Sequence, residues 1–289
     1  MQFGISIAYT DPADYTALAI AAEENGFDAV TLPDHLIYPR ELKTPYPYTP
    51  DGVPRFTPDD PFPDPWMGAV AMAAVTRRLW FYTSVYVLPA RNPFHVAKLL
   101  ASAACLSGNR IALGVGMGWM PEEFAVAEQA FAARGRRADE MLQVMQKLWT
   151  GEWVEHHGEF YDFEPLKMRP APSRPIPIYV GGFSEAAMRR AAQHDGWIAD
   201  LHTLAELEAL IVTMRRYREE AGRGAEPFRI LTFGCVDARG VDGLRAMRDM
   251  GTDVVSTMPW LVYGSAMQAP LGTKIDALKR FSDEVISAL

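Results

Sequence analysis

The chain has 289 residues, of which 49% are hydrophobic and 22% charged, and its net charge is −8. This length and composition suit one globular enzyme domain with a large core, such as a (β/α)₈ barrel. The acidic balance excludes a nucleic-acid partner that needs a basic surface, and no apolar run approaches the roughly 20 residues that cross a bilayer. The opening residues, MQFGISIAYT, lack the pattern of a signal peptide. We therefore expect one cytoplasmic domain over residues 1–289, with neither nucleic acid nor membrane as a partner.

Short β-rich runs alternate with amphipathic helical stretches along the chain, which predicts a parallel α/β fold. The predicted strands are 2–8, 27–32, 79–88, 110–115, 176–180, 196–200, 228–236 and 253–258. The predicted helices are 12–25, 64–78, 93–106, 134–149, 184–194, 204–221, 241–250 and 273–289. This count favours a closed (β/α)₈ TIM barrel over an open doubly wound sheet, which has about five or six strands.

Two segments interrupt the alternation. Residues 39–65 are rich in proline and follow the second strand, so we expect them to lie over the carboxyl end of the barrel as a lid. Residues 151–174 contain WVEHHGEFYDF, whose alternation predicts a hairpin around His157-Gly158 before the fifth strand.

The cysteines and histidines show no metal-site spacing. Cys105 falls in a predicted helix and Cys235 in a predicted strand, which is typical of buried thiols in a reducing compartment. The histidines form no HExxH or facial-triad pattern, and no histidine pair ends the first strand. We predict no metal site.

The end of the second strand carries the first candidate for chemistry. Asp34 and His35 follow this strand directly, so a barrel places them on its rim. A histidine there can hydrogen-bond a cofactor ring or move a proton near neutral pH. The pattern equally allows a loop histidine that is satisfied by a neighbour.

Glycines follow the fourth strand in the string GVGMGW, residues 114–119. They let a flat ligand approach the backbone closely. A dinucleotide-binding motif is excluded, since the string follows the fourth strand and the acids after it fall within helix. We interpret Glu122 and Glu123 as first-turn helix carboxylates favoured by the dipole, not as catalytic acids.

A second glycine pair, Gly181-Gly182, ends the fifth strand just before a predicted helix. Free N–H groups at such a helix start form a site for the phosphate of a nucleotide-like cofactor. The alternative is a glycine turn that only permits tight packing of strand and helix.

Taken together, the motifs resemble the luciferase-like monooxygenase superfamily, and most of all its F420-dependent branch. They occur in the family's order through Trp197, and the resemblance fades over the last three strands. The strings are EENGFDAVTLPDH, TSVYVLPARNPFHVAK, LSGNRIALGVGMGW, RGRRADEMLQVMQKLWTGE, HHGEFYDF, RPIPIYVGG and DGW.

The resemblance implies a role for most of these positions. The cofactor ring of the family rests on a bulge with a non-prolyl cis peptide, which matches Ser84–Val85, although the sequence alone leaves an ordinary trans bond open. The histidine matching His35 lies close to the reacting carbon, so His35 is the predicted catalytic residue. The predicted cofactor-binding residues are Asp34, His35, Ser84, Val85, Gly116, Met117, Gly118, Val180, Gly181 and Gly182.

The resemblance also carries structural expectations and one departure. Arg134 and Glu140 match a structural pair, and Asp195-Gly196-Trp197 is expected to support the barrel rim. Trp119 stands where the sugar-phosphate dehydrogenase branch has a proton-donating glutamate, which argues against a sugar-phosphate substrate. Trp119 is instead a candidate wall of an apolar pocket, and its expected companions are Tyr38, Trp66 or Trp260.

The function implied is hydride transfer between F420 and a small organic substrate. Alternatives are an FMN-dependent monooxygenase that works with a flavin reductase, or a barrel that binds flavin without catalysis. By analogy with related barrels, we expect a homodimer.

Overall fold

The strands of the computed structural model, which describes residues 1–289, build one barrel and one hairpin. They are β1 (Gln2–Ser6), β2 (Ala29–Leu32), β3 (Trp80–Thr83), β4 (Tyr86–Val87), β5 (Ile111–Gly116), β6 (Val154–His157), β7 (Asp162–Leu166), β8 (Ile178–Gly181), β9 (Gly196–Ile198), β10 (Arg229–Thr232) and β11 (Val254–Thr257).

The helices pack around the barrel, and none of them is long and apolar enough to cross a membrane. They are α1 (Tyr15–Glu24), α2 (Pro65–Val75), α3 (Pro93–Ser107), α4 (Pro121–Val126), α5 (Arg134–Trp149), α6 (Glu185–Ala191), α7 (Leu204–Glu220), α8 (Gly240–Met250), α9 (Pro259–Val262) and α10 (Leu271–Glu284). Short 3₁₀ turns cover Pro12–Asp14, Leu88–Ala90 and Ile286–Ala288.

Eight strands pair in parallel in the order β3-β2-β1-β11-β10-β9-β8-β5, and β5 pairs again with β3 to close the ring. The predicted (β/α)₈ barrel is therefore confirmed. Because every barrel strand runs the same way, the loops after β2, β3, β5 and β8 all open at one mouth.

Aspartates fix the register at the opposite end of the barrel. Three of them precede strands, and each accepts the amide hydrogen of a residue that begins or lies near the start of a neighbouring strand. The pairs are Asp28 with Phe3, Asp195 with Ile178 and Asp253 with Ile230, at 2.9, 2.8 and 2.7 Å. Asp195 therefore supports the end away from the mouth, and its expected place on the rim is wrong.

The third strand is interrupted where the sequence predicts one continuous run over 79–88. Strand β3 ends at Thr83, and the Ser84–Val85 bond is cis, as the resemblance implies. The Ser84 amide still donates to Leu32 O at 2.8 Å, and pairing with β5 resumes at Tyr86. The interruption thus forms a bulge at the mouth.

The predicted hairpin is present as the antiparallel pair β6 and β7. Its turn is held by the carboxylate of Glu140, which accepts the amides of Glu159, Phe160 and Tyr161 at 2.8–3.1 Å. Glu140 therefore has no part in the predicted pair with Arg134, because its oxygens are committed to the hairpin.

Candidate active site

The carboxylate of Asp34 joins the loop after β2 to the segment after the bulge at the mouth. It accepts the Val87 amide at 2.9 Å and pairs with the Arg91 guanidinium at 2.7 Å, and only 2% of its side chain is exposed. Burial raises the pKa of Asp34, and the charge of Arg91 opposes that rise. With both oxygens bonded inside the protein, Asp34 fixes the turn that carries His35, and its predicted contact with the cofactor is not supported.

His35 lies beside Glu123, an acid for which the sequence predicted no part in the site. Its Nδ1 lies 3.3 Å from Oε2 of Glu123, whose other oxygen accepts the Leu36 amide. The Glu123 side chain is fully buried, and that of His35 is 12% exposed. Glu123 lies in the first turn of α4, as predicted, but its contacts with His35 and Leu36 were not predicted. The two residues meet because β2 and β5 flank β3, so the loops that follow them converge.

Aromatic rings enclose His35 on its other sides. Ring centroids of Phe56, Phe62 and Trp119 lie 5.0, 5.3 and 6.0 Å from the imidazole. Tyr9 and Tyr46 extend this group, which we call the aromatic chamber and define as Tyr9, Tyr46, Phe56, Phe62 and Trp119. Burial raises the pKa of Tyr9 to about 12 and raises that of Tyr46 as well, so both stay neutral near physiological pH.

The predicted companions of Trp119 are only partly correct. Tyr38 packs edge-on against Phe56 and so borders the chamber. Trp66 is buried against Tyr86 instead, and Trp260 lies in a separate small core cluster. Both tryptophans are packing residues because their rings are at most 2% exposed.

The proline-rich segment lies over the mouth, as predicted, and is tethered there. Arg55 donates to Asp200 at 2.9 Å and to Tyr48 O at 2.8 Å, and Gln268 donates to Asp60 at 2.9 Å. An open cleft of about 510 Å³ runs between this lid and the loop after β11. Its lining residues are Tyr9, Arg55, Thr57, Asp59, Asp60, Met267 and Gln268.

The bulge at Val85 is seated on two glycines. A Cβ atom added to Gly116 would lie 2.3 Å from Val85 Cγ2, and one added to Gly181 would lie 2.5 Å from Val85 Cγ1. Both distances are far below van der Waals contact, so these positions accept only glycine while Val85 stays in place. The glycines thus make room for the bulge, where the sequence analysis expected them to make room for the ligand itself.

The loop after β5 is held by Arg134. Its Nε donates to Gly118 O at 3.0 Å, and Gly118 has a φ of +74°, which favours glycine. Met117 beside it is partly buried against the main core. The backbone of this loop is therefore positioned from α5.

The second glycine pair departs from its expected role. The Gly182 amide donates to Ile198 O at 3.4 Å, and Gly182 O accepts the indole N–H of Trp197 at 2.7 Å. Val180 is fully buried in the core. The free amides at this strand end belong to Phe183 and Ser184, which have no acceptor within the chain. The Gly182 amide is therefore not free for the predicted anion contact, and the phosphate site at this strand end stays a prediction.

Residues 1–240 match the family model described as luciferase-like monooxygenase. Since this match spans most of the chain, the protein belongs to that family. The chain is 43% identical to an uncharacterized protein of Mycobacterium tuberculosis (strain ATCC 25618 / H37Rv) over 288 residues, which cover 99% of both chains.

A relative with a stated activity is also similar. The F420-dependent glucose-6-phosphate dehydrogenase of Gordonia bronchialis is 34% identical over 234 residues, or 78% of this chain and 64% of the relative. This similarity agrees with the family match, and the F420 dependence and the substrate in its name are properties of that relative.

Two solved structures illustrate how widely the fold is used. An F420-dependent secondary alcohol dehydrogenase in complex with an F420-acetone adduct matches with a TM-score of 0.77 and 16% identity, covering 100% of this chain and 99% of the other. The EDTA monooxygenase from Chelativorans sp. BNC1 matches with a TM-score of 0.78 and 15% identity, covering 100% and 93%. At this identity, the likeness concerns the fold alone.

Proposed function

We propose that this protein is an F420-dependent oxidoreductase that transfers a hydride between F420 and a small organic substrate. The carrying observation is the 34% identity to an F420-dependent dehydrogenase over 78% of the chain. The alternative, an FMN-dependent monooxygenase with a partner reductase, draws on the same fold. A barrel that binds flavin without catalysis is the third candidate.

The residues at the mouth fit a flat cofactor. Ser84 and Val85 are partly exposed, and Gly116 and Gly181 leave the space that the Val85 side chain occupies. We assign Val85 as support for the ring, the loop at 116–118 as its lining, and the amides after Gly182 as contacts for the phosphate. When bound, F420 supplies a carbon that accepts or releases hydride.

The aromatic lining of the chamber favours an uncharged substrate. Arg55, the lid cation whose charge acts on Tyr9 and Tyr46 of the chamber, is paired with Asp200. A phosphate placed there would have to compete with Asp200 for Arg55, and burying an unpaired charge is costly. We therefore propose a small organic substrate without phosphate, which also accords with Trp119 in place of an acid.

Cofactor choice is tested by titrating the purified protein with F420 and with FMN and recording fluorescence quenching. We expect saturable binding of F420 and much weaker binding of FMN. Tight FMN binding without F420 binding would contradict this proposal and favour the FMN-dependent monooxygenase.

Catalysis is tested with His35→Asn and a panel of alcohols and ketones. Loss of a positioned acid or base lowers kcat by about 10²–10⁴-fold. The control is His95→Asn, since His95 is exposed on α3. If wild type and His35→Asn turn over every substrate equally well, His35 has no catalytic role. Absence of turnover in wild type would favour the non-catalytic barrel.

We also propose a homodimer formed through α2 and α3. These neighbouring helices carry exposed apolar side chains, which on a monomer would face water. They are Met67, Val75, Leu99 and Leu106, with exposures of 70, 46, 39 and 72%.

A further inference from the structure

Glu123 anchors the turn after β2 through two adjacent residues. Oε1 accepts the Leu36 amide, and Oε2 faces Nδ1 of His35 at 3.3 Å. The Glu123 side chain is fully buried. Because a buried carboxylate needs partners for both oxygens, these two contacts lock its orientation.

The chemistry of the pair determines which ring nitrogen carries the proton. An ionised carboxylate only accepts hydrogen bonds, so when Glu123 is ionised Nδ1 of His35 donates to it. A neutral imidazole has one N–H group, and its other nitrogen is then an acceptor. In neutral His35, Nε2 is therefore left with a lone pair.

Nε2 is also the ring nitrogen that is free to meet a ligand. It makes no hydrogen bond within the chain, and the ring is bordered by Phe56, Phe62 and Trp119. His35 keeps 12% of its side-chain surface. The acceptor nitrogen, Nε2, thus faces the aromatic chamber, while the donor nitrogen, Nδ1, faces Glu123.

We propose that Glu123 is a positioning residue that holds His35 in the Nδ1–H tautomer, so that Nε2 exchanges the substrate's proton. The catalytic consequence rests on the proposed function. When a substrate alcohol is oxidised, its C–H hydride leaves with two electrons to oxidised F420 and its O–H proton goes to Nε2. A carbonyl product forms, and the resulting imidazolium stays paired with Glu123. In reduction, Nε2 returns the proton.

The first test needs only the wild-type protein without cofactor. Nitrogen chemical shifts of ¹⁵N-histidine distinguish a protonated ring nitrogen from a bare one, and His35→Asn identifies the His35 signals by their loss. At alkaline pH we expect the proton on Nδ1. A proton on Nε2 would overturn the proposal, whatever the enzyme's activity.

The second test is Glu123→Gln, which keeps the size of the side chain. The amide oxygen still accepts from Leu36, but the NH₂ group now faces Nδ1 and donates to it. We expect the proton of His35 to move to Nε2 and kcat to fall about 10²-fold or more, with little change in the affinity for F420. The control is Glu152→Gln, because that carboxylate is 70% exposed on the hairpin segment.

The outcomes separate this inference from the proposed function. An unchanged tautomer or an unchanged kcat in Glu123→Gln would overturn the role of Glu123. A wild-type protein with the expected tautomer but no turnover would overturn the proposed function and leave the positioning of His35 intact.

Discussion

The side chain of Val85 fits at the mouth because two of its neighbours, Gly116 and Gly181, have no side chain. Its γ-carbons point at Gly116 and Gly181 from one bulge, so the β5 and β8 strand ends are matched to it. In a close-packed site, one added methyl group has no space to enter without moving backbone or side chain.

We predict that Gly181→Ala lowers the free energy of unfolding by about 1–3 kcal/mol, as overpacking does, and weakens cofactor binding. Val85→Ala in the same chain removes the clashing carbon and should restore most of the loss. Urea denaturation and F420 titration measure both effects.

Gly272→Ala is the matched control for that pair, because a Cβ at Gly272 meets nothing within 4 Å. It should leave stability unchanged or raise it by up to about 1 kcal/mol, since alanine favours helix over glycine. If Gly181→Ala behaves like Gly272→Ala, the close packing of Val85 against Gly181 does not exist.

Candidate residues were predictable where they lie at strand ends, and less so where they meet across loops. His35 follows β2 directly, so its place at the mouth can be read from the sequence. Glu123 is in the first turn of α4, where the helix dipole already explains an acid. Its contact with His35 depends on two loops converging above β3, which no local pattern encodes.

Among the elements, the lid is joined to the barrel in part by polar side chains near its surface. Arg55 joins it to Asp200, and both side chains are partly exposed, at 35 and 20%. Ion pairs of this kind contribute about 0–1 kcal/mol. The tether thus controls the position of the lid more than the stability of the fold.

For Arg55→Ala we predict faster hydrogen exchange of the amides in residues 45–60, with a change in unfolding free energy below about 1 kcal/mol. Mass-spectrometric exchange and thermal unfolding test this. Arg136→Ala, which removes an exposed pair with Glu159, is the control and should leave the lid unchanged. Unaltered exchange across 45–60 would contradict the tether.

The turn of the β6–β7 hairpin is held by the carboxylate of Glu140. Burial acts to raise the pKa of Glu140, but the Phe160 and Tyr161 amides and His156 outweigh it and hold the pKa below its usual value. A depressed carboxylate pKa stabilises the folded state above the unfolded pKa of about 4.3, and this contribution is lost as pH falls through the folded value.

Glu140→Gln is therefore predicted to destabilise the protein at neutral pH by about 1.5–3 kcal/mol, the range for hydrogen bonds to a charged group. The difference from wild type should shrink below about pH 4, as measured by urea unfolding at several pH values. Glu159→Gln, with 54% of its side chain exposed, should show little effect at any pH. A constant difference across pH would disprove the role of the charge.

At the scale of the whole molecule, the exposed apolar residues of α2 and α3 bear on assembly. Replacing Met67 and Leu106 with glutamate should convert the proposed dimer to a monomer in sedimentation equilibrium, because a charge at an apolar interface is costly to bury. Val212→Glu on α7 is the control, with 58% of that side chain exposed. A wild-type protein that sediments as a monomer would rule out the dimer.

The sequence by itself determined the barrel, its hairpin and the strand ends that carry His35 and the glycines, because these follow from hydrophobic periodicity and from turn residues close in the chain. The tertiary structure alone decided that Glu123 faces His35, that Asp34 is sealed against Arg91, and that the Gly182 amide points into the sheet. Each of these depends on groups far apart in sequence, whose meeting is set by barrel closure and by the need of buried polar atoms for partners.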